Sequence, residues 1–122
     1  MNLADLVLLQ NQFDAKHGWN PDKGVPTAIF RAIQGDLIGI LGEVGEFANI
    51  VKKVALETDH DPASDLAALL KARHGDFSEE LVDALIYLIR LASHLDIDME
   101  QAYLDKLNVN EQRFKRFERP LS

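Results

Sequence analysis

The stretch Thr27-Ala28-Ile29-Phe30-Arg31-Ala32-Ile33-Gln34-Gly35-Asp36-Leu37-Ile38-Gly39-Ile40-Leu41-Gly42-Glu43-Val44-Gly45-Glu46-Phe47-Ala48-Asn49-Ile50-Val51-Lys52-Lys53-Val54-Ala55-Leu56-Glu57 decides the fold of this chain. Along it Phe30, Ile33, Leu37, Ile40, Val44, Phe47, Val51 and Val54 recur in steps of three and four. That spacing keeps them on one side of a helix, whereas strand side chains alternate faces residue by residue. One long helix over 27–57 is predicted, with an apolar stripe that requires a partner. Gly35, Gly39, Gly42 and Gly45 lie inside it, each at a cost of about 1 kcal/mol relative to alanine. Packing or the close approach of another backbone must offset them, which marks this part of the helix as crowded and functional.

The remaining segments read the same way. Leu3, Leu6, Val7 and Phe13, with Asn2 as cap and Gly18 as terminator, predict a helix over 3–17. The run from His17 to Pro26 joins glycines and prolines to the lone Trp19 and reads as an ordered connector. Asp61-Pro62, then Leu66, Leu69 and Leu70, then Gly75 predict a short helix over 62–74. Ser78 opens a helix with Leu81, Leu85, Leu88, Ala92 and Leu95 on its core side. Asp98 and Gln101 resemble a capping box opening a last helix, whose stripe is Tyr103, Leu107, Asn110, Phe114 and Phe117. Nothing alternates with period two and nothing repeats. The expectation is an all-α helical bundle of four to five helices, forming one domain over 1–122.

Composition narrows the function. Thirteen basic against twenty acidic residues give a net charge of −7, which argues against a nucleic-acid polymer as partner, because such a surface needs a basic stripe. The absence of cysteine removes disulfides, thiolate metal sites and cysteine nucleophiles. No apolar run reaches the roughly 18 residues of a membrane span, and no basic segment precedes Leu6-Val7-Leu8-Leu9, so no membrane partner is expected and a cytoplasmic location is.

Glu43 and Glu46 are neighbours on the surface of the long helix, and Glu80 and Asp83 repeat the spacing on the later one. If the two helices pack, these acids face one another across the seam, where they persist only if protonated or neutralised by cations. Oxygen ligands favour magnesium, with manganese as a substitute. Spacing alone also fits solvated acids, with Glu79 and Glu80 offsetting a helix dipole.

The segments Gly42-Glu43-Val44-Gly45-Glu46-Phe47-Ala48 and Glu79-Glu80-Leu81-Val82-Asp83-Ala84-Leu85-Ile86-Tyr87-Leu88 resemble the E-x-x-E and E-x-x-D motifs of the MazG-like all-α nucleoside triphosphate pyrophosphohydrolases. The likeness continues through Leu95 to Ala102 and through Lys106-Leu107-Asn108-Val109-Asn110-Glu111-Gln112-Arg113, similar to that family's K-x-x-x-N-x-x-R pattern. It implies a helical bundle, homodimeric or homotetrameric, that hydrolyses a (deoxy)nucleoside triphosphate to monophosphate and pyrophosphate with magnesium, in the manner of a nucleotide-pool cleaner. Carried over by position, Glu43, Glu46, Glu80 and Asp83 are metal ligands. Two departures are visible: 33 residues separate Glu46 from Glu80, longer than is usual there, and Gly42 stands where many members have a further glutamate. The base expected from that position is missing, so the identity of the general base is open; Glu46 and Glu79 are the candidate catalytic residues.

Substrate contacts are expected from several sides. Lys106, Asn110 and Arg113 share one side of the last helix, suited to phosphate oxygens and to sugar or base, or else a solvated surface. Asn110 interrupts an apolar stripe, and a buried amide needs partners. Tyr87, one turn beyond Asp83, stacks on the sugar or belongs to the core. Trp19 and His17 clamp a base or plug one end of the bundle. Lys53, beside Lys52, steers the triphosphate or is merely solvated. Di-iron chemistry is disfavoured, since Glu57-Thr58-Asp59-His60 supplies Glu-x-x-His once only. A non-catalytic helical interaction or regulatory module is the remaining alternative.

Overall fold

The computed structural model describes residues 1–121; Ser122, the last residue of the expected domain, lies outside the described residues. The elements are α1 (Leu3–Lys16), α2 (Pro26–His60), α3 (Leu66–Ala72), α4 (His74–His94), α5 (Met99–Arg113) and a 3-10 turn (Lys115–Phe117). No strand occurs among the described residues, and the expected all-α bundle is observed. The antiparallel α2/α4 pair is its centre; α1 packs on α4, and α5 packs on α1. Among the described residues, no helix is long and apolar enough to cross a membrane.

Local chemistry explains most of the boundaries. Asn2 caps α1 by accepting from the Asp5 N–H at 2.9 Å, while the Asp5 side chain accepts from the Asn2 N–H, a reciprocal box. Gly18, at φ 69°, turns the chain out of α1, with the Trp19 N–H bonded to the Asp14 carbonyl at 3.0 Å and the Gly18 N–H to that of Ala15 at 3.1 Å. Asp98 caps α5 through the Gln101 N–H, but the Gln101 side chain turns forward to Asp105, so only half of the expected box forms.

Several expected boundaries move, the long helix running over Pro26–His60 and not 27–57. The short helix runs over 66–72, not 62–74, because Asp61 ends α2 and folds its side chain onto the Ala63 N–H, leaving Asp65 to cap through the Ala68 N–H. The next helix starts at His74, four residues before Ser78, and Gly75 falls in its first turn instead of closing the preceding one. An exposed Arg73–Asp76 pair at 3.4 Å lies within that added turn, and the Phe47–Phe77 ring contact, centroids 5.0 Å apart, holds it against α2.

The larger correction concerns the stripes. Phe30, Leu37 and Val44 are 59%, 50% and 55% exposed, and the stripe of α5 is open as well, with Tyr103 63% exposed. What α2 turns toward α4 is Asp36, Gly39, Glu43, Phe47 and Val54; on the described chain the buried apolar residues are Val54, Ile89 and Ala92, and Asp14, Asp36 and His94 are buried as deeply. A compact monomer of 13.7 kDa exposes about 6,600 Å². This chain exposes 9498 Å², so its apolar faces lie largely uncovered in the single protomer.

Candidate active site

Because α2 and α4 run antiparallel, residues that ascend one helix meet residues that descend the other. Glu43 and Glu46 thereby meet Glu80, with carboxylate oxygens of all three within 4.8 Å of one another. Asp83, on the same side of α4, is half-buried and lies on the wall of the adjoining cavity with Glu43, outside that three-residue group. Glu79 is exposed and also outside it.

The electrostatics of the cluster are unfavourable as they stand. Oε2 of Glu43 and Oε2 of Glu80 are buried and, while both acids are ionised, without a hydrogen-bond partner. The Glu80 carboxyl is pushed up to about 8, first by Glu43, whose side chain hydrogen-bonds to its protonated form, then by burial, then by Glu46. Three carboxylates at one point of the seam, those of Glu43 and Glu80 with orphaned oxygens, form an oxygen-only donor set that fits a hard divalent cation, which would supply the charge and the coordination that the protein withholds.

An open cavity of about 770 Å³ extends from these acids along the seam. Glu43 and Asp83 line it, as do Asp36 and Arg90, each seven residues along its helix from one of them, together with Asp14; Tyr87, between Asp83 and Arg90 on α4, and Trp19 line it too. Tyr87 lies flat against α2 because Gly39 has no side chain there. Trp19 is set by the turn at Gly18 and joins Phe13 and His17 in one aromatic cluster, edge-on to Phe13 with ring centroids 5.8 Å apart and stacked on His17 at 4.5 Å, while His17 lies 4.4 Å from Phe13. The connector is fastened further on by Lys23, whose Nζ donates to the Ser93 carbonyl, to the His94 carbonyl at 3.1 Å and to Asp96 at 2.9 Å, closing the C-terminus of α4.

Of the sequence candidates, the cavity wall therefore carries Glu43, Asp83, Tyr87 and Trp19. His17 instead bonds through Nδ1 to the Phe13 carbonyl at 2.7 Å and reaches the cavity only through Trp19. Lys53 is exposed on α2, and Lys106 and Arg113 are exposed on α5, which packs on α1 away from the α2/α4 seam. Asn110 is half-buried, and among the described residues its side chain makes no hydrogen bond.

Sequence reasoning passed over the other end of the cavity. Arg90 donates from Nη1 to Asp14 at 3.0 Å and from Nε to Asp36 at 3.2 Å, and Asp36 meets His94 Nε2 at 2.6 Å. The signal was present: Asp36 and Arg90 are charged residues set within apolar runs, and Arg90 lies seven residues from Asp83, on the same side of α4.

An all-α bundle whose central helix pair offers an acidic cluster beside a nucleotide-sized cavity is the class of protein defined so far. The chain is similar to dCTP pyrophosphatase 1 of Mus musculus and of Homo sapiens, at 30% identity over 112 residues in each case, 92% of this chain. It also resembles the Gene 37 protein of Mycobacterium phage L5, at 32% identity over 79 residues, 62% of this chain and 63% of that protein. The chain spans 58% of the length of the two dCTP pyrophosphatases. No protein-family model matches it.

Proposed function

We propose that residues 1–122 form one MazG-like pyrophosphohydrolase domain that cleaves a (deoxy)nucleoside triphosphate to its monophosphate and pyrophosphate, and so clears such triphosphates from the nucleotide pool. The observation that carries the reading is the pair of orphaned carboxylate oxygens, on Glu43 and Glu80, of which Glu43 lines a cavity shared with Trp19 and Tyr87. Similarity to proteins named for pyrophosphate release from dCTP supports it.

In this reading Glu43, Glu46, Glu80 and Asp83 hold the cation, magnesium or manganese. When bound, it neutralises the triphosphate and lowers the pKa of a water. The residues of the chain do the rest. Tyr87 and Trp19 hold the nucleoside against the seam, and His17 keeps the indole in place. Water attacks the α-phosphorus; its proton passes to a carboxylate, Glu46 or the neighbouring Glu79. The bond from the α-phosphorus to the bridging oxygen breaks, and pyrophosphate leaves with that oxygen.

Lys53, Lys106, Asn110 and Arg113 then act on phosphate across an interface, from a second copy of the chain. A homodimer or homotetramer is supported by the uncovered apolar faces of α2 and α5.

The test is pyrophosphate release from a panel of ribo- and deoxyribonucleoside triphosphates with magnesium. Release from at least one is expected, with Glu46→Gln and Asp83→Asn each reducing it by orders of magnitude while circular dichroism stays helical. A panel on which the protein releases no pyrophosphate returns it to the class of helical interaction modules, and unchanged turnover in both variants removes the site assignment.

A further inference from the structure

We infer that Arg90, held by Asp14 and Asp36, reads the base of the bound nucleotide, and that it selects bases with two adjacent hydrogen-bond acceptors on one edge, cytosine through O2 and N3 or guanine through O6 and N7. The inference rests on the proposed nucleotide site and names what its far end recognises.

Position comes first. Arg90 follows Asp83 by seven residues on α4, and Asp36 precedes Glu43 by seven on α2. At about 1.5 Å per residue, either interval places the ion network about 10 Å along the seam from the acids. That is the span from the α-phosphorus to the outer edge of the base in a nucleotide. Both groups border the same cavity, which is lined also by Trp19 and by Tyr87, the latter between Asp83 and Arg90 on α4, so a nucleotide whose phosphates lie at the acids has its base edge at Arg90.

Chemistry comes second. A guanidinium carries five N–H donors. Two are engaged, one on Nε and one on Nη1; among the described residues Nη2 makes no hydrogen bond. Those two carboxylates fix the plane of the fork, and Asp36 is itself fixed by His94. Trp19 and Tyr87 offer faces on which every base stacks alike. An oriented fork instead demands a matched pair of acceptors, the geometry by which arginine distinguishes guanine in nucleic-acid complexes. Adenine, thymine and uracil have no two acceptors side by side.

Energetics come third. The Asp14, Asp36 and Arg90 side chains are only 3%, 7% and 17% exposed. Desolvating such a network costs enough that a well-packed apolar replacement of like volume is often neutral or stabilising. Stability alone therefore does not account for three charged side chains at the end of a cavity, whereas recognition of a polar base edge does.

The experiment measures binding of dCMP, dGMP, dAMP and dTMP to the full chain by calorimetry, with pyrophosphate release assayed in parallel. Two variants are compared: Arg90→Lys, which keeps the charge and loses the fork, and Asp14→Leu/Asp36→Leu/Arg90→Met, which removes the three charges together and leaves the His94 imidazole and the Gln10 amide without their carboxylate partners. For the wild type, dCMP or dGMP is expected to bind about tenfold or more tighter than dAMP and dTMP. In each variant that ratio is expected to fall to within about threefold while the helical circular dichroism and magnesium binding are retained. A wild type that binds all four alike, or prefers dAMP or dTMP, overturns the inference even if pyrophosphate is released. A ratio that survives Arg90→Lys or the triple variant overturns it as well, and shows the network to be a structural tie. Selective binding without pyrophosphate release from any triphosphate leaves Arg90 as the base reader and overturns the proposed hydrolysis instead.

Discussion

Tyr87 occupies the space that a side chain on Gly39 would need: a Cβ built on Gly39 overlaps the Cε1 and Cζ atoms of the phenol ring. The absence of one methyl group on α2 thus lets an aromatic ring on α4 lie against the helix backbone and form a wall of the cavity. Gly39→Ala gains about 1 kcal/mol of helix propensity and loses about 1–3 kcal/mol to overpacking. The expected outcome is a net loss of stability with impaired nucleotide binding, in urea unfolding and calorimetry. Gly45→Ala, where an added Cβ meets nothing within 4 Å, is expected to be neutral or to gain up to about 1 kcal/mol.

The metal-free protein is expected to lose stability as pH rises. Glu80 titrates near 8 in the fold against 4.5 for the free side chain, so the native state binds the proton more tightly. Between those two values the native state holds more protons than the unfolded chain, and stability falls with increasing pH until it levels off above about 8. Glu80→Gln removes this dependence, and melting temperatures followed from pH 5 to 9 check it. A midpoint that does not fall over that range contradicts the prediction.

Magnesium is expected to reverse that loss. Binding to the native state at a hundred times the dissociation constant stabilises by about 2.7 kcal/mol. Millimolar magnesium should therefore raise the melting temperature by several degrees at pH 8, by more than at pH 6, since the cation must displace the Glu80 proton at the lower pH. Glu43→Gln should abolish the shift, and an equal shift in that variant would place the cation elsewhere.

The setting of Trp19 depends on two fasteners within its own connector. Gly18→Ala puts a side chain at φ 69°, which costs about 1–2 kcal/mol. Lys23→Met leaves the Ser93 and His94 carbonyls to water and is expected to cost about 1 kcal/mol. Both variants should broaden the tryptophan fluorescence and weaken nucleotide binding without changing the magnesium-induced rise in melting temperature.

Leu37→Arg places a charge on the uncovered side of α2, where Leu37 is 50% exposed and touches no other helix strongly enough to be buried. In sedimentation velocity the wild type is expected to run as a dimer or tetramer and this variant as a smaller species. A wild type that sediments as a monomer would count against the assembly.

The sequence by itself determined the helices and the pairing of the acids within each. Both are local: hydrogen bonds between near neighbours set the helical period, and a spacing of three places Glu43 beside Glu46 and Glu80 near Asp83 whatever the rest of the chain does. Asn2, Gly18 and Asp98 were legible as caps for the same reason. The tertiary structure alone decided which side of each helix is covered. Apolar periodicity says that a stripe seeks burial but does not name the partner, and here α4 covers the side of α2 bearing Asp36, Gly39 and Glu43 while Phe30, Leu37 and Val44 stay open. It decided too that Glu80, and not Asp83, meets both acids of α2 at close range, and that Arg90 draws Asp14 and Asp36 together from two other helices. Contacts between residues 54 and 76 positions apart follow from the packing of whole helices, whose relative placement depends on every side chain in the seam and is encoded in no single spacing.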